Sequence, residues 1–217
     1  MKKIKIKTKK EIDIMREAGK YHAEMSSIVK NFIKEGVSTW DIDKVAIDYI
    51  NKHKLEPVQI GYYGYPNATC VGINDNTVHA IPRIDKVVKK GDIVSFDCTI
   101  RYKGYCADAG FSLGIGEIDT EAKTLLETTK KALEAAISVC VEGNHIGDIS
   151  NIIYKTAQSK GFDTLDIFIA HGIGKEMHEE PEIPNWGKQG SGQTIKEGMT
   201  FALDTLLVEG IGKVNIL

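Results

Sequence analysis

Three aspartates stand where aspartate is costly. Asp97 lies in GDIVSFDCTI, Asp108 in YCADAGFSL and Asp204 in FALDTLLV, each inside an apolar, strand-like run. A carboxylate there is unfavourable unless it is paired, protonated, bound to a cation or turned to the solvent face of an antiparallel sheet. Asp97 and Asp108 flank Lys103-Gly104, a pair with the chemistry of a two-residue hairpin turn. With that pair as the loop, Tyr102 faces Tyr105, Thr99 faces Asp108 and Asp97 faces Gly110. Strand side chains alternate with period two, so the two aspartates become a diagonal pair on one face. Diagonal positions stand about 7–8 Å apart, within reach of one ion. A three-residue loop would put them on opposite faces.

Histidines supply a second kind of donor. His171 ends the apolar run DIFIAHGIG, before Gly172 and Gly174, which let backbone approach closely. His178 follows in KEMHEEPE, and His79 ends another apolar stretch, NTVHAIP. A lone histidine on an apolar face is commonly a hydrogen-bonded core residue. Three near strand ends, beside three strand aspartates, fit a cation site. Carboxylate oxygens suit Mn, Mg or Fe, and imidazole widens the choice to Co or Zn. His22, His53 and His145 fall on helices or helix entrances and read as solvated. Other chemistries lack their patterns: no G-x-G-x-x-G or Walker sequence is present, and Gly190-Ser191-Gly192 is not a nucleophile elbow. In the hairpin register above, Cys98 and Cys106 point to opposite faces and do not bridge. Cys70 either packs as a small hydrophobe or lines a pocket.

The elements that must carry these residues are legible in outline. The 217 residues include 28 basic and 30 acidic side chains, a net charge of −2 that argues against a dedicated nucleic-acid binder. At 42% hydrophobic the composition is that of a globular chain, not a disordered one. No apolar run reaches the roughly 18 residues of a membrane span, and no secretory h-region follows Met1. The four cysteines lack finger spacing and fit reduced thiols, so a cytoplasmic location is expected. In MKKIKIKTKK, Ile4 and Ile6 alternate with Lys5 and Lys7 as on an edge strand, and Thr8 to Glu11 reads as a capping box. Helical periodicity runs over Glu11–Ile33, Asp41–His53, Thr120–Val139 and Ile146–Lys160. Ser38 and Thr39 are the capping candidates of the second helix. Strand-like runs cover Gln59–Tyr63, Ile93–Ile100, Tyr105–Leu113, Leu165–Ala170 and Thr200–Val208.

Two helices then strands, twice over, suggest a duplication. Glu35-Gly36 recurs as Glu142-Gly143, Asp41-Ile42 as Asp148-Ile149, Lys89 and Gly91 as Lys196 and Gly198, and Asp97 as Asp204, always 107 residues on. We expect an α+β fold of two pseudo-symmetric halves, about 8–114 and 115–217, within a single domain. Their strands share one core under a cover of helices and bring the acids together.

The motifs GYYGYP (61–66), NDNTVHAIP (74–82), GDIVSFDCTI (91–100), ADAGF (107–111), HGIG (171–174), HEEP (178–181) and GMTF (198–201) occur in one order along nearly the whole chain. In this the sequence resembles the type I methionine aminopeptidases, a pita-bread metallopeptidase family with a central antiparallel sheet covered by helices. GYYGYP and VHAIP favour the methionine-specific branch over proline-dipeptide relatives. The resemblance implies removal of initiator methionine from nascent polypeptides with small second residues, by metal-assisted attack of water on the carbonyl. It implies two divalent ions (Co, Mn, Fe, Zn or Ni) held by Asp97, Asp108 as a bridging ligand, His171 and Asp204. His178 would stabilise the carbonyl oxygen, His79 would contact the leaving side, and Tyr62, Tyr65, Cys70 and Met177 would wall the methionine pocket. A cytoplasmic monomer acting near the ribosome exit follows from the same likeness.

Two positions depart from the family. Asp204 stands where it has a glutamate, one methylene or about 1.5 Å longer, and Thr205 stands where proline is usual. The repeat mate of Asp108 is Asn215, and the family's second bridging glutamate lies on strands beyond the point where this chain stops. These departures leave open a non-catalytic or weakly active peptide-binding relative, or a fragment of a longer enzyme.

Overall fold

A computed structural model describes residues 3–76, 78–165 and 167–214. It divides into two units, Lys10–Ala122 with Gly174–Met177, and Met1–Lys9 with Lys123–Ile173 and His178–Leu217. Asn215 lies outside the described residues.

The first unit begins with α1, Lys9–Phe32, which buries Ala18, His22, Met25 and Val29 at helical spacing. Next comes α2, Thr39–Lys52, entered through Ser38, one of the two capping candidates, in a capping box. The Ser38 hydroxyl accepts from Asp41 N at 3.1 Å, and the Asp41 carboxylate accepts from Ser38 N at 3.1 Å. Strand β1 is Glu56–Pro57 and β2 is Cys70–Ile73, while β3, Ile93–Tyr102, and β4, Tyr105–Gly114, form a hairpin. The hairpin adopts the expected register, with Tyr102 opposite Tyr105, Thr99 opposite Asp108 and Asp97 opposite Gly110. Lys103 and Gly104 both take positive φ, 48° and 80°, as a two-residue turn between right-twisted strands requires. On its other edge β3 pairs with β1 and β2. Met25, Ile42, Ile50, Val71, Phe96 and Ile100 form the core between this sheet and the helices.

The second unit holds α3, Thr120–Val139, and α4, Ile146–Gln158. Its strands are β5 (Asp163–Thr164), β6 (Ala170–Gly172), β7 (Glu179–Ile183), β8 (Phe201–Ala202) and β9 (Leu207–Val208). They pair in the order β7-β6-β8 and, separately, β5-β9, all antiparallel. Ala132, Ile149, Ile153, Ala170 and Ile183 form its core. The 107-residue offset recurs in the bonding itself. Gly36 N to Val88 O is matched by Gly143 N to Ile195 O, and the Ser38–Val87 bridge by one between His145 and Thr194. Asp148 takes the His145 N–H as Asp41 takes that of Ser38.

Five expectations fail. Gln59–Tyr63 is not a strand, because Gly61, Tyr63 and Gly64 take left-handed φ of 81°, 48° and 82° and fold the segment into a turn with a 3₁₀ helix at Tyr62–Gly64. Among the described residues of the run Leu165–Ala170, only Ala170 enters a strand. The run Thr200–Val208 breaks into β8 and β9, which pair with different partners. Residues 3–8 form no strand: Ile6 is half exposed, and Lys7 is buried with its ammonium on Glu179. His22, read as solvated, is 3% exposed on the buried stripe of α1. Its Nε2–H donates to the Cys98 carbonyl at 2.7 Å, and the Ser26 hydroxyl lies 3.1 Å from Nδ1.

Burial holds His22 below its ordinary pKa, against the opposing pull of the Cys98 carbonyl. The unfolded chain binds a proton near pH 6.5 that the folded chain refuses, so this residue costs stability as pH falls below that value and nothing above it. His22→Gln is expected to lower the urea midpoint at pH 7.5, yet to lose less further stability than wild type between pH 7.5 and 5.

Candidate functional site

The first unit presents the two hairpin carboxylates. Asp97 on β3 and Asp108 on β4 are half-buried and share a face of the sheet. The close approach needs Gly110 opposite Asp97, since a Cβ there would sit 2.7 Å from the Phe96 carbonyl oxygen. Asp97 Oδ2 accepts from Gln59 Nε2 at 3.0 Å, and the same amide lies 3.5 Å from Cys70 Sγ. Cys70 is the cross-strand neighbour of Asp97 on β2. Burial first, and the Asp97 charge second, push its thiol up to about 12, so at neutral pH it is an uncharged, soft wall and not a thiolate nucleophile. Burial likewise raises Tyr65, whose hydroxyl lies 3.0 Å from the carbonyl oxygens of Thr69 and Ala80. Met177 is buried and its sulfur lies 3.1 Å from the Thr99 hydroxyl. Tyr62 is partly exposed, edge-on to Tyr63. His79 is exposed and holds a positive φ of 56°, an uncommon backbone state for a side chain other than glycine and one concentrated at functional positions.

The loop that carries the pocket residues is anchored by Asp43 of α2, which accepts from Asn67 Nδ2, Ala68 N, Thr69 N and the Thr69 hydroxyl at 2.8–3.1 Å. Sequence reasoning missed Asp43 and Gln59. Asp43 reads like its exposed neighbours Lys44 and Asp48 on the same helix, and Gln59 lies in a segment that was expected to be strand.

In the second unit His171 is buried on β6. Its Nδ1 stands 2.9 Å from the Gly172 carbonyl oxygen, so Nδ1–H donates there and Nε2 carries the lone pair. That nitrogen lies 3.7 Å from Asp204 Oδ2. The His178 ring meets the His171 ring edge-on, centroids 4.3 Å apart. Between His171 and Gly172 the β6–β7 register shifts, and a Cβ on Gly172 would come 2.1 Å from the Glu180 carbonyl oxygen, so only glycine fits. Asp204 departs from expectation: it stands between β8 and β9, not on a strand, and its side chain is 40% exposed. His178 is exposed just ahead of β7, whose first residue, Glu179, is held by Lys7 at 2.8 Å and Lys5 at 3.1 Å. In the sequence both lysines read alike, as the alternating residues of an edge strand, with nothing to point to Glu179.

The donor chemistry fits a divalent cation: carboxylate oxygens on the hairpin, and an imidazole whose tautomer is set by a backbone carbonyl. Each unit carries two of the four expected ligands. Among the described residues no group of three or more His, Cys, Asp or Glu stands together at ligating spacing.

Comparison with known proteins gives one consistent picture. The model of metallopeptidase family M24 matches residues 13–216. A methionine aminopeptidase of Clostridium acetobutylicum is 39% identical over 94% of this chain and 82% of its own length. One from Helicobacter pylori is 38% identical over 99% and 86%. The crystal structure of the Thermotoga maritima methionine aminopeptidase superposes with a TM-score of 0.97 at 38% identity, covering 99% of this chain and 86% of that one. The prolidase of Pyrococcus horikoshii shares the fold alone, with a TM-score of 0.78 at 20% identity.

The two lysines on Glu179 differ in burial, and that decides their worth. The Lys7 and Glu179 side chains are both 4% exposed, whereas Lys5 is 58% exposed. Lys7→Met is expected to cost up to about 3 kcal/mol by removing the buried partner of a buried carboxylate and leaving it to the exposed Lys5, and Lys5→Met under about 1 kcal/mol, as read by urea unfolding.

Proposed function

The chain belongs to metallopeptidase family M24, and we propose from that membership that it removes initiator methionine from nascent polypeptides whose second residue is small. It is a metallo-exopeptidase of the methionine aminopeptidase type with the pita-bread fold. The observation that carries the reading is the hairpin register, which sets Asp97 and Asp108 on one face in the motif order of that family.

In this proposal Asp97, Asp108, His171 and Asp204 are the residues that would hold two divalent ions, of Mn, Co, Fe, Zn or Ni. Bound there, an ion would supply Lewis-acid chemistry toward the scissile carbonyl and toward water. His178, exposed ahead of β7, donates to the carbonyl oxygen as negative charge gathers there. His79 contacts the departing peptide nitrogen, and its left-handed backbone aims it from the end of its loop. Tyr62, Tyr65, Cys70 and Met177 receive the methionine side chain. Supporting that role, Cys70 and Met177 are buried, soft and uncharged, matched to a thioether. The enzyme acts as a cytoplasmic monomer near the ribosome exit. In keeping with this, no helix among the described residues is long and apolar enough to cross a membrane. Neither the fold nor the comparisons favour the non-catalytic reading.

Protein stripped by chelator and reloaded with Mn²⁺ or Co²⁺ is expected to release methionine from Met-Gly and Met-Ala peptides, and excess chelator to stop it. Asp97→Asn or Asp108→Asn should lower the rate by more than the roughly 100-fold typical of losing an outer partner of a ligand. No release with any of the five metals, at high enzyme, would overturn the proposal.

A further inference from the structure

We propose that Gln59 is a positioning residue for the metal site: its side-chain amide fixes the Asp97 carboxylate and thereby sets how tightly the hairpin holds a divalent cation. This rests on the assignment of Asp97 as a ligand. Gln59 is 7% exposed, and both ends of its amide are used. Oε1 accepts from Thr99 N at 3.1 Å, and Nε2 donates to Asp97 Oδ2 at 3.0 Å while lying 3.5 Å from Cys70 Sγ. The two contacts fix the orientation of the amide. Turned over, the NH₂ would meet the Thr99 N–H and the oxygen would meet a carboxylate, two clashes of like polarity.

The neighbouring geometry explains why the support comes from Gln59. On β4 the residue opposite Asp97 is Gly110, which has no side chain to offer and which steric limits keep as glycine. On β2 the opposite residue is Cys70, a weak donor. Gln59 reaches in from the turn after β1, where Val58 N donates to Thr99 O at 3.1 Å and clamps the segment against β3. The amide therefore ties the ligand carboxylate to the backbone of its own strand two residues on. A carboxylate held in this way presents its oxygens in one orientation before a cation arrives, and the ordering entropy is not charged against binding.

The test is Mn²⁺ titration of chelator-stripped protein by calorimetry, with urea unfolding of each metal-free protein alongside. Gln59→Met, near in volume and without the amide, is expected to weaken Mn²⁺ binding about 10- to 100-fold. Gln59→Asn keeps the amide but withdraws it by one methylene, and carries the same expectation should the Met variant not fold. Val29→Ala, a core truncation on α1, should lose stability with Mn²⁺ affinity unchanged, which separates positioning from general loosening. Asp97→Asn should weaken binding further still. If wild type binds no Mn²⁺, or Asp97→Asn binds as wild type does, the ligand assignment fails and this inference with it. If Asp97→Asn is weakened while a folded Gln59 variant matches wild type, the inference alone is overturned.

Discussion

The register of the β3–β4 hairpin is the constraint on which the first unit's chemistry depends. Side-chain direction in a strand has period two, so a slip of one residue against the partner would send either Asp97 or Asp108 to the far face. Two features hold the register. The Lys103-Gly104 turn accepts positive φ at both positions, and Phe96 stacks on Phe111 across the strands, ring centroids 5.2 Å apart. The first operates at the loop and the second in mid-strand, next to the residue that carries the carboxylate. Gly110 completes the arrangement by letting β4 approach β3 where Asp97 projects.

Three buried polar side chains, two in the first unit and one in the second, are tied to backbone. Asp43 collects the amides of Ala68 and Thr69, Gln59 takes that of Thr99, and His171 donates to Gly172 O. A backbone partner cannot swing away as a surface side chain can, and an isolated buried polar group would cost more than the bond gains. Such groups stiffen the loops they join. The pocket loop from Gly61 to Cys70 has a 3₁₀ turn and left-handed residues in place of strand pairing. It relies on Asp43 and on the Tyr65 hydroxyl for its shape.

What could be read from the sequence was local and periodic. The four helices and the hairpin announce themselves through spacing, a capping candidate at Ser38 and a turn dipeptide. The repeat was visible because the same turns and caps demand the same residues, Gly36 and Gly143 among them, both with positive φ. What could not be read depends on partners distant in sequence. Lys7 pairs with Glu179 from the other end of its unit, and no alternation pattern reports that. His22 looked like a solvated helix residue because its acceptor, the Cys98 carbonyl, is 76 residues away. Gln59 was hidden by a different error. An apolar, aromatic segment reads as strand, but two glycines with left-handed φ turn it back on itself.

Asp204 shows where repeat logic reaches its limit. Asp97 and Asp204 occupy equivalent positions in the sequence, yet one lies within a ten-residue strand paired on both edges and the other between two strands of two residues each. The equivalence survives at the caps and turns, where a few hydrogen bonds within one segment decide the conformation. It fails in the strands, because strand length depends on how much pairing the neighbours offer. In the first unit β4 offers ten paired residues to β3. In the second unit β8 pairs with β6 through two residues, and the following residues turn toward β5. Asp204 sits at that change of partner with its side chain 40% exposed and 3.7 Å from His171 Nε2. No strand ladder runs through Asp204, so its position is set by the turn between β8 and β9 and not by strand register.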